Sequence, residues 1–178
     1  MNVPTDLCLD TPLWRFAGHF WARPAAQEAA LALQLQGWSV TDLLCGLWLA
    51  SQGQKFTGFG TNQVLIWRTR VTEALRNVRK AIIKANPATD KIRNCVAQSE
   101  LEAEKVELAL AYSALAERPA STMVARGTAR PEDNVKTLAL ENLQAAAPEK
   151  AMNNETGRLL ESLIEELQHL CEEESSSC

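Results

Sequence analysis

Apolar residues in the middle of the chain recur at intervals of three and four, the spacing that places side chains on one face of an α-helix. In the segment 62–86 they are Val64, Trp67, Val71, Leu75, Val78 and Ile82. A second stripe further along contains Ile92, Val96, Ala103, Val106 and Leu110. Because Asn86-Pro87 stops the first helix and Thr89 starts the second, the stripes predict a long antiparallel hairpin over 62–117 with a connection of two or three residues.

Three shorter helices are predicted before the hairpin, within residues 12–50. Thr11 before Pro12 has the pattern of an N-cap followed by the first helical residue. Pro24 separates the first short helix from the second, and Ser39 opens a capping box that begins the third. Since all five tryptophans lie in the N-terminal half, we expect these helices to form a compact Trp-rich subdomain packed on the hairpin.

The C-terminal part of the chain predicts one or two further helices. Residues 118–131 are small and polar with a proline near each end, a pattern typical of a flexible linker. Amphipathic stripes follow within 132–173, and the acidic, serine-rich tail 174–178 is expected to be disordered. The whole pattern predicts an all-α protein, with a main helical domain over 1–117 joined by the linker to the C-terminal helices.

Length and composition agree with this fold class. The chain has 178 residues, of which 46% are hydrophobic and 22% charged, ordinary values for a globular protein. Its beginning lacks the basic and apolar regions of a signal peptide, and no apolar run approaches the ~20 residues needed to cross a bilayer. We therefore expect a cytoplasmic protein without a membrane partner.

Side chains suited to catalysis are few. The five cysteines form no Cys-x-x-Cys pair, and Cys45 and Cys95 lie in helical patterns that predict buried, reduced thiols. No local motif supports His19 as a base for a cysteine nucleophile. The last helix contains four side chains at metal-ligand spacing, Glu165, Glu166, His169 and Glu173. One helix supplies too few fixed ligands, so we expect no catalytic residue, no cofactor and no metal, which favours a protein that is not an enzyme.

Charge is distributed unevenly along the chain. The net charge is −4, yet the segment 55–93 carries +7 and the remainder −11. If the first stripe of the hairpin faces inward, five cations lie on the other faces of its helix: Arg68, Arg76, Arg79, Lys80 and Lys84. Such cations would contact a nucleic acid or another polyanion. The alternative, which we favour, is a match to the acidic segments 100–107 and 155–173 of the same chain or of a second copy.

Tryptophans close to cationic side chains suggest a second kind of site, a pocket for a small anionic ligand. Its candidate residues are Trp14, Arg15, His19, Arg23, Trp48 and Trp67. A pocket requires that polar groups converge on a cavity, which spacing along a sequence does not establish. Arginines beside tryptophans otherwise stack and cap within a fold.

The N-terminal half resembles a known family. The motifs that carry the likeness are, in order, Leu13-Trp14-Arg15-Phe16-Ala17, Arg23-Pro24, Leu31-Ala32-Leu33-Gln34, Val40-Thr41-Asp42-Leu43-Leu44, Leu47-Trp48-Leu49-Ala50, Trp67-Arg68, Leu75-Arg76, Arg79 and Lys84. Over about residues 10–85 the chain is similar to small proteobacterial helical proteins known only as a conserved domain of unknown function. It departs from them at Ala74, where a proline is expected, and at Ser39, where an aspartate is common. The resemblance implies a helical fold and a bacterial cytoplasm, and it assigns no activity and no site residue.

Taken together, these features favour a non-enzymatic helical protein that binds a protein partner or itself. The supporting observations are the two apolar stripes, the opposed charge blocks and the lack of a catalytic motif. Polyanion binding through the basic helix 64–84 is the first alternative, and an anionic-ligand pocket at the Trp/Arg residues is the second.

Overall fold

The structure is a computed structural model that describes residues 3–117, 131–148 and 153–176. Within these ranges the regular secondary structure is helical and contains no strand, which confirms the all-α prediction. The linker predicted at 118–131 lies, apart from its last residue, outside the described ranges.

The chain forms its helices in the predicted order. They are α1 Pro12–Trp21, α2 Pro24–Leu35, α3 Val40–Ser51, α4 Gln63–Trp67, a π-helical turn Arg68–Thr72, α5 Glu73–Ala81, α6 Asp90–Ala116, α7 Pro131–Ala145 and α8 Asn154–Ser176. The helix α8 continues to Ser176, although we expected disorder from residue 174 onward. The last two residues of that tail lie outside the described ranges.

Two of the predicted helix starts are formed by the expected side chains. The backbone N–H of Trp14 donates to the Thr11 hydroxyl at 3.0 Å, and the N–H of Asp42 donates to the Ser39 hydroxyl at 3.2 Å. Each hydroxyl satisfies a backbone donor that has no partner inside the helix. Ser39 therefore supplies the N-cap of α3.

The helices group into two compact units. Unit 1 contains residues 1–14 and 59–116, and unit 2 contains residues 15–58 and 117–178. This grouping differs from the predicted main domain over 1–117, because α2 and α3 belong with α7 and α8 instead of with the hairpin. An apolar stripe shows that a helix needs a partner but does not specify which helix of the chain will cover it.

In unit 2, α3 packs on α7 and α2 packs on α8, while α7 also contacts α8. Large leucine side chains fill the space between these helices: Leu33, Leu43, Leu47, Leu143, Leu163 and Leu167 are at most 1% exposed. The helix α3 is buried almost all round, as its nearly uninterrupted apolar sequence predicts.

A buried amide fastens α7 to α3 in unit 2. The Asn142 side chain donates to the carbonyl oxygens of Gly46 and Gln54, each at 2.9 Å, and accepts from the N–H of Phe56 at 2.8 Å. A Cβ on Gly46 would lie 3.4 Å from the Cβ of Asn142, so the small residue allows the two helices to approach closely. Asn142 thus holds both α3 and the segment after it.

Unit 1 contains the predicted hairpin. The segments α4 and α5, with the π turn between them, all pack against α6. The first helix ends at Ala81, and Ala85 has a positive φ of 57°. The connection therefore runs from residue 82 to 89 and is longer than predicted. The helix already ends at Ile82, whose backbone is extended, and Pro87 restricts only Asn86 before it.

Candidate functional site

The π turn changes which residues of the first hairpin helix face α6. A π turn contains about one residue more than an α turn, so inward positions shift by one after it. Val64 is fully buried before the turn and Thr72 is 1% exposed within it, whereas Val78 is 51% exposed after it. The side chains of Arg76 and Arg79 are only 16% and 28% exposed. The inward line of α5 is therefore polar.

Glutamates of α6 meet these arginines. Arg68 Nε lies 2.7 Å from Glu107 Oε1. Arg76 binds two carboxylates, with Nε 3.0 Å from Glu100 and Nη2 2.6 Å from Glu104. We call the set of paired residues the ion-pair row; it contains Arg68, Arg76, Arg79, Glu100, Glu104 and Glu107.

The third arginine shares a carboxylate with the second. Arg79 binds Glu100 through Nε and through Nη2, the latter at 3.1 Å. Two arginines on one carboxylate satisfy both of its oxygens, which a buried charge requires. Glu100 is therefore the centre of the row.

Burial makes the carboxylates of the row sensitive to their partners. Glu107 is 2% and Glu100 5% exposed. Burial raises the pKa of Glu100, but the hydrogen bonds and charges of Arg79 and Arg76 outweigh it and hold that pKa below its ordinary value. At Glu104 burial dominates and raises the pKa in spite of Arg76. The hydrogen bond to Glu100 likewise raises the pKa of Arg79.

The ion-pair row changes the interpretation of the cations predicted to bind a polyanion. We expected all five on outer faces of the helix, which is wrong for Arg68, Arg76 and Arg79, since each is paired with glutamate inside the hairpin. The match to the acidic segment 100–107, which we favoured, is confirmed by these pairs. Lys80 and Lys84 are exposed.

The two apolar stripes lie on one side of the ion-pair row. Trp67 donates through Nε1 to the carbonyl oxygen of Ala103 at 2.9 Å, and Arg76 reaches Glu104, the next residue of α6. Successive helical residues point about 100° apart, so Ala103 and Glu104 lie on opposite sides of the line from Glu100 to Glu107. On α6 the spacing of three and four residues keeps the apolar stripe on the side of Ala103. On the first helix the extra residue of the π turn keeps Leu75 and Val78 on the side of Trp67.

We call this surface the hairpin face. It consists of Val71, Leu75 and Val78 on the first helix, of Ile82 directly after its end, and of Ile92, Val96, Ala103 and Val106 on α6. Val78 and Ile92 are 51% and 57% exposed, Ala103 is buried, and the other five are half-buried. We expected the first stripe to face inward, but the π turn directs it to the side of the contact between the helices.

Small side chains continue the hairpin face along α6. Cys95 is exposed there, although we predicted a buried thiol. Ser99 donates its hydroxyl to the carbonyl oxygen of Cys95 at 2.9 Å, so the hydroxyl is satisfied within the helix. Neither residue adds a charge to the face.

The candidate pocket residues are divided between the two units. In unit 1 the Lys105 ammonium lies 5.2 Å from the ring centre of Trp14, a cation–π contact, and Trp67 bonds to Ala103. The remaining four belong to unit 2, where Arg15 and His19 are exposed and Trp48 is half-buried. Trp14 and Trp67 thus each take part in a contact of their own, and the pocket stays a prediction.

Arg23, the fourth pocket candidate of unit 2, has its own acidic partners. It binds Glu166 and Glu173 of α8, the latter at 3.0 Å. The hydrogen bonds that Arg23 donates to these carboxylates, above all the one to Glu166, raise the pKa of Arg23. Two of the four side chains at metal-ligand spacing are therefore occupied by an arginine. Across the described ranges, no group of three His, Cys, Asp or Glu is arranged to hold a metal.

No helix in the described part of the chain is both long and apolar enough to span a bilayer.

Comparison with known proteins assigns the family. Residues 12–110, which are 99 of the 178 residues, match the family described as a protein of unknown function (DUF2390). The match confirms the resemblance seen over residues 10–85 and extends it through most of α6, so it includes the ion-pair row and the hairpin face. A search of curated proteins and a search of solved structures each found no match. The chain therefore belongs to the DUF2390 family, whose function is unknown.

Proposed function

We propose that this chain is a non-enzymatic helical protein that binds a protein partner through the hairpin face. The observation that carries the proposal is the exposure of apolar side chains on two adjacent helices, greatest at Val78 and Ile92. Single exposed apolar residues are ordinary, but a contiguous apolar surface marks an interaction site. Two parallel rows of apolar side chains form such a surface.

The ion-pair row supports the same conclusion. A polyanion site needs cations whose partners come from outside the protein, whereas α6 supplies the partners of Arg68, Arg76 and Arg79. The row joins α5 to α6 and leaves the apolar side of both helices for another molecule.

Site-specific photocrosslinking in cells tests the proposal. A photoreactive phenylalanine analogue replaces Val78 on the hairpin face, and the matched control replaces the exposed neighbour Asn77, which points away from the face. We expect irradiation to give a covalent protein adduct from position 78 and little from position 77. Absence of any adduct at position 78, or equal adducts from both positions, contradicts the proposal.

A further inference from the structure

We infer that the partner of the hairpin face is a second copy of this chain, which packs face to face to form a four-helix arrangement. This inference rests on the proposed function and names its partner. It follows from the charge of the face, its size and the architecture of unit 1.

The charge of the hairpin face selects an uncharged partner surface. None of its eight side chains is ionisable, and its border on the first helix includes the exposed alanines Ala74 and Ala81. Three exposed charged side chains border the face: Arg70, Lys91 and Glu102. With few charges and both signs present, a nucleic acid or an anionic lipid surface has little to bind, while another apolar face fits.

The size of the face suits a reversible dimer. From Ile92 to Val106 it runs about 21 Å at the usual helical rise, and two adjacent helices with their side chains span about 20 Å. Two copies would together bury about 840 Å², which is below the range of stable interfaces and within that of weak, transient ones. We therefore expect association that depends on concentration.

The architecture of the hairpin favours two-fold pairing. The apolar side of an antiparallel helix pair is buried when another layer of structure covers it. Two hairpins that pack face to face cover each other in this way and form a four-helix bundle. A two-fold contact uses the same surface on both copies, so it closes at two chains and leaves no further binding face. The hairpin face, being uncharged on both of its helices, can meet itself without placing like charges together.

Equilibrium sedimentation of the full chain tests the inference. The mass of the wild type should rise with concentration from 19.6 kDa toward twice that value. The substitution Val78→Glu should raise the dissociation constant at least tenfold, because it buries a carboxylate in the contact. The matched control Asn77→Glu adds the same charge outside the face and should behave as the wild type.

A second pair of variants distinguishes lost association from misfolding. Ile92→Glu should weaken association as Val78→Glu does, and Asn94→Glu, at another exposed position of α6, should not. Circular dichroism and thermal melting confirm that each variant keeps its fold.

The native thiols provide an independent readout. Cys95 and Cys8 are both exposed in the single chain, and Cys95 borders the hairpin face. Alkylation of Cys95 should slow severalfold relative to Cys8 as the wild-type concentration rises, and this protection should be lost in Val78→Glu.

Each outcome decides the inference. It is overturned by a wild type that stays monomeric at all concentrations, or by Val78→Glu dimerising as strongly as Asn77→Glu. Binding to vesicles of phosphatidylglycerol without dimerisation would also overturn it. A monomer that gives an adduct of another mass at position 78 in cells would refute the second copy as partner and leave the proposed function intact.

Discussion

At the scale of single residues, Glu100 is the centre of the ion-pair row in unit 1. It is 5% exposed and binds both Arg76 and Arg79. A buried carboxylate without a partner costs several kcal/mol, and removing one member of a buried ion pair leaves the other uncompensated. The packing of α5 against α6 therefore depends on charge as well as on apolar contact.

Glu100→Gln should lower the free energy of unfolding by about 2 kcal/mol at neutral pH, less than for a fully buried pair because the arginines retain some exposure. Glu102→Gln removes the same charge from an exposed position of α6 and should change stability by less than about 0.5 kcal/mol. Urea unfolding measures both. Equal stability of the two variants would contradict the role assigned to Glu100.

The difference in the free energy of unfolding between the wild type and Glu100→Gln should depend on pH, in a direction that follows from the pKa of Glu100. The pKa of Glu100 is lower in the folded chain than in the unfolded one, so its contribution is present above the ordinary carboxyl pKa of about 4. The contribution is lost as the pH falls through the lowered value. The difference between wild type and Glu100→Gln should therefore be constant from pH 7 to 5 and shrink in more acidic solution; a difference that persists unchanged at pH 2 would contradict it.

At the scale of elements, the π turn Arg68–Thr72 decides how the hairpin is assembled. By adding a residue to one turn, it permits Trp67 and Arg68 at its start and Arg76 and Arg79 after it to reach α6 together. An uninterrupted α-helix would rotate one of these groups away from its partners, since one residue corresponds to about 100°.

Deletion of Thr69, an exposed residue of the π turn, should make α4 and α5 one continuous helix. One set of contacts with α6 is then lost, and the free energy of unfolding should fall by about 2–4 kcal/mol. The control Thr69→Ala keeps the register and should cost less than about 0.5 kcal/mol. Urea unfolding with circular dichroism checks both, and identical midpoints would show that the register does not matter.

At the scale of the whole molecule, the internal pairing of arginines limits what the positive segment 55–93 can bind. Its charge of +7 comes from the sequence alone, while three of its arginines are paired with glutamates that all lie beyond residue 93. A polyanion binds through cations that displace its counterions. Its affinity for this chain is therefore set by surface cations that are not already paired with glutamates, and not by the total charge of the segment.

Retention of the full chain on immobilised heparin should accordingly be weak, with elution at or below about physiological ionic strength. Replacing exposed Lys80 and Lys84 by glutamate should lower it only slightly. Strong retention that falls steeply with salt, and is abolished in Lys80→Glu with Lys84→Glu, would restore the polyanion hypothesis.

The parts of this protein that sequence alone predicts are those set by neighbouring residues. The hydroxyls of Thr11 and Ser39 cap helices, Pro24 begins one, and spacing by three and four residues identifies the hairpin. Each of these signals acts within one or two helical turns, so the pattern along the chain contains it in full. The internal charge match was also predictable, because acidic and basic segments of one chain can neutralise each other.

Only the tertiary structure decided which surfaces meet. The pairing of α3 with α7 depends on Gly46 and Asn142, which are far apart in sequence. The register of the hairpin depends on the π turn Arg68–Thr72, which no local signal in the sequence marks. An apolar stripe looks the same in sequence whether it faces another helix or the solvent, since its spacing records a face of the helix and not what covers that face. For this reason the hairpin face, with Val78 and Ile92 exposed, was visible only once the helices were packed.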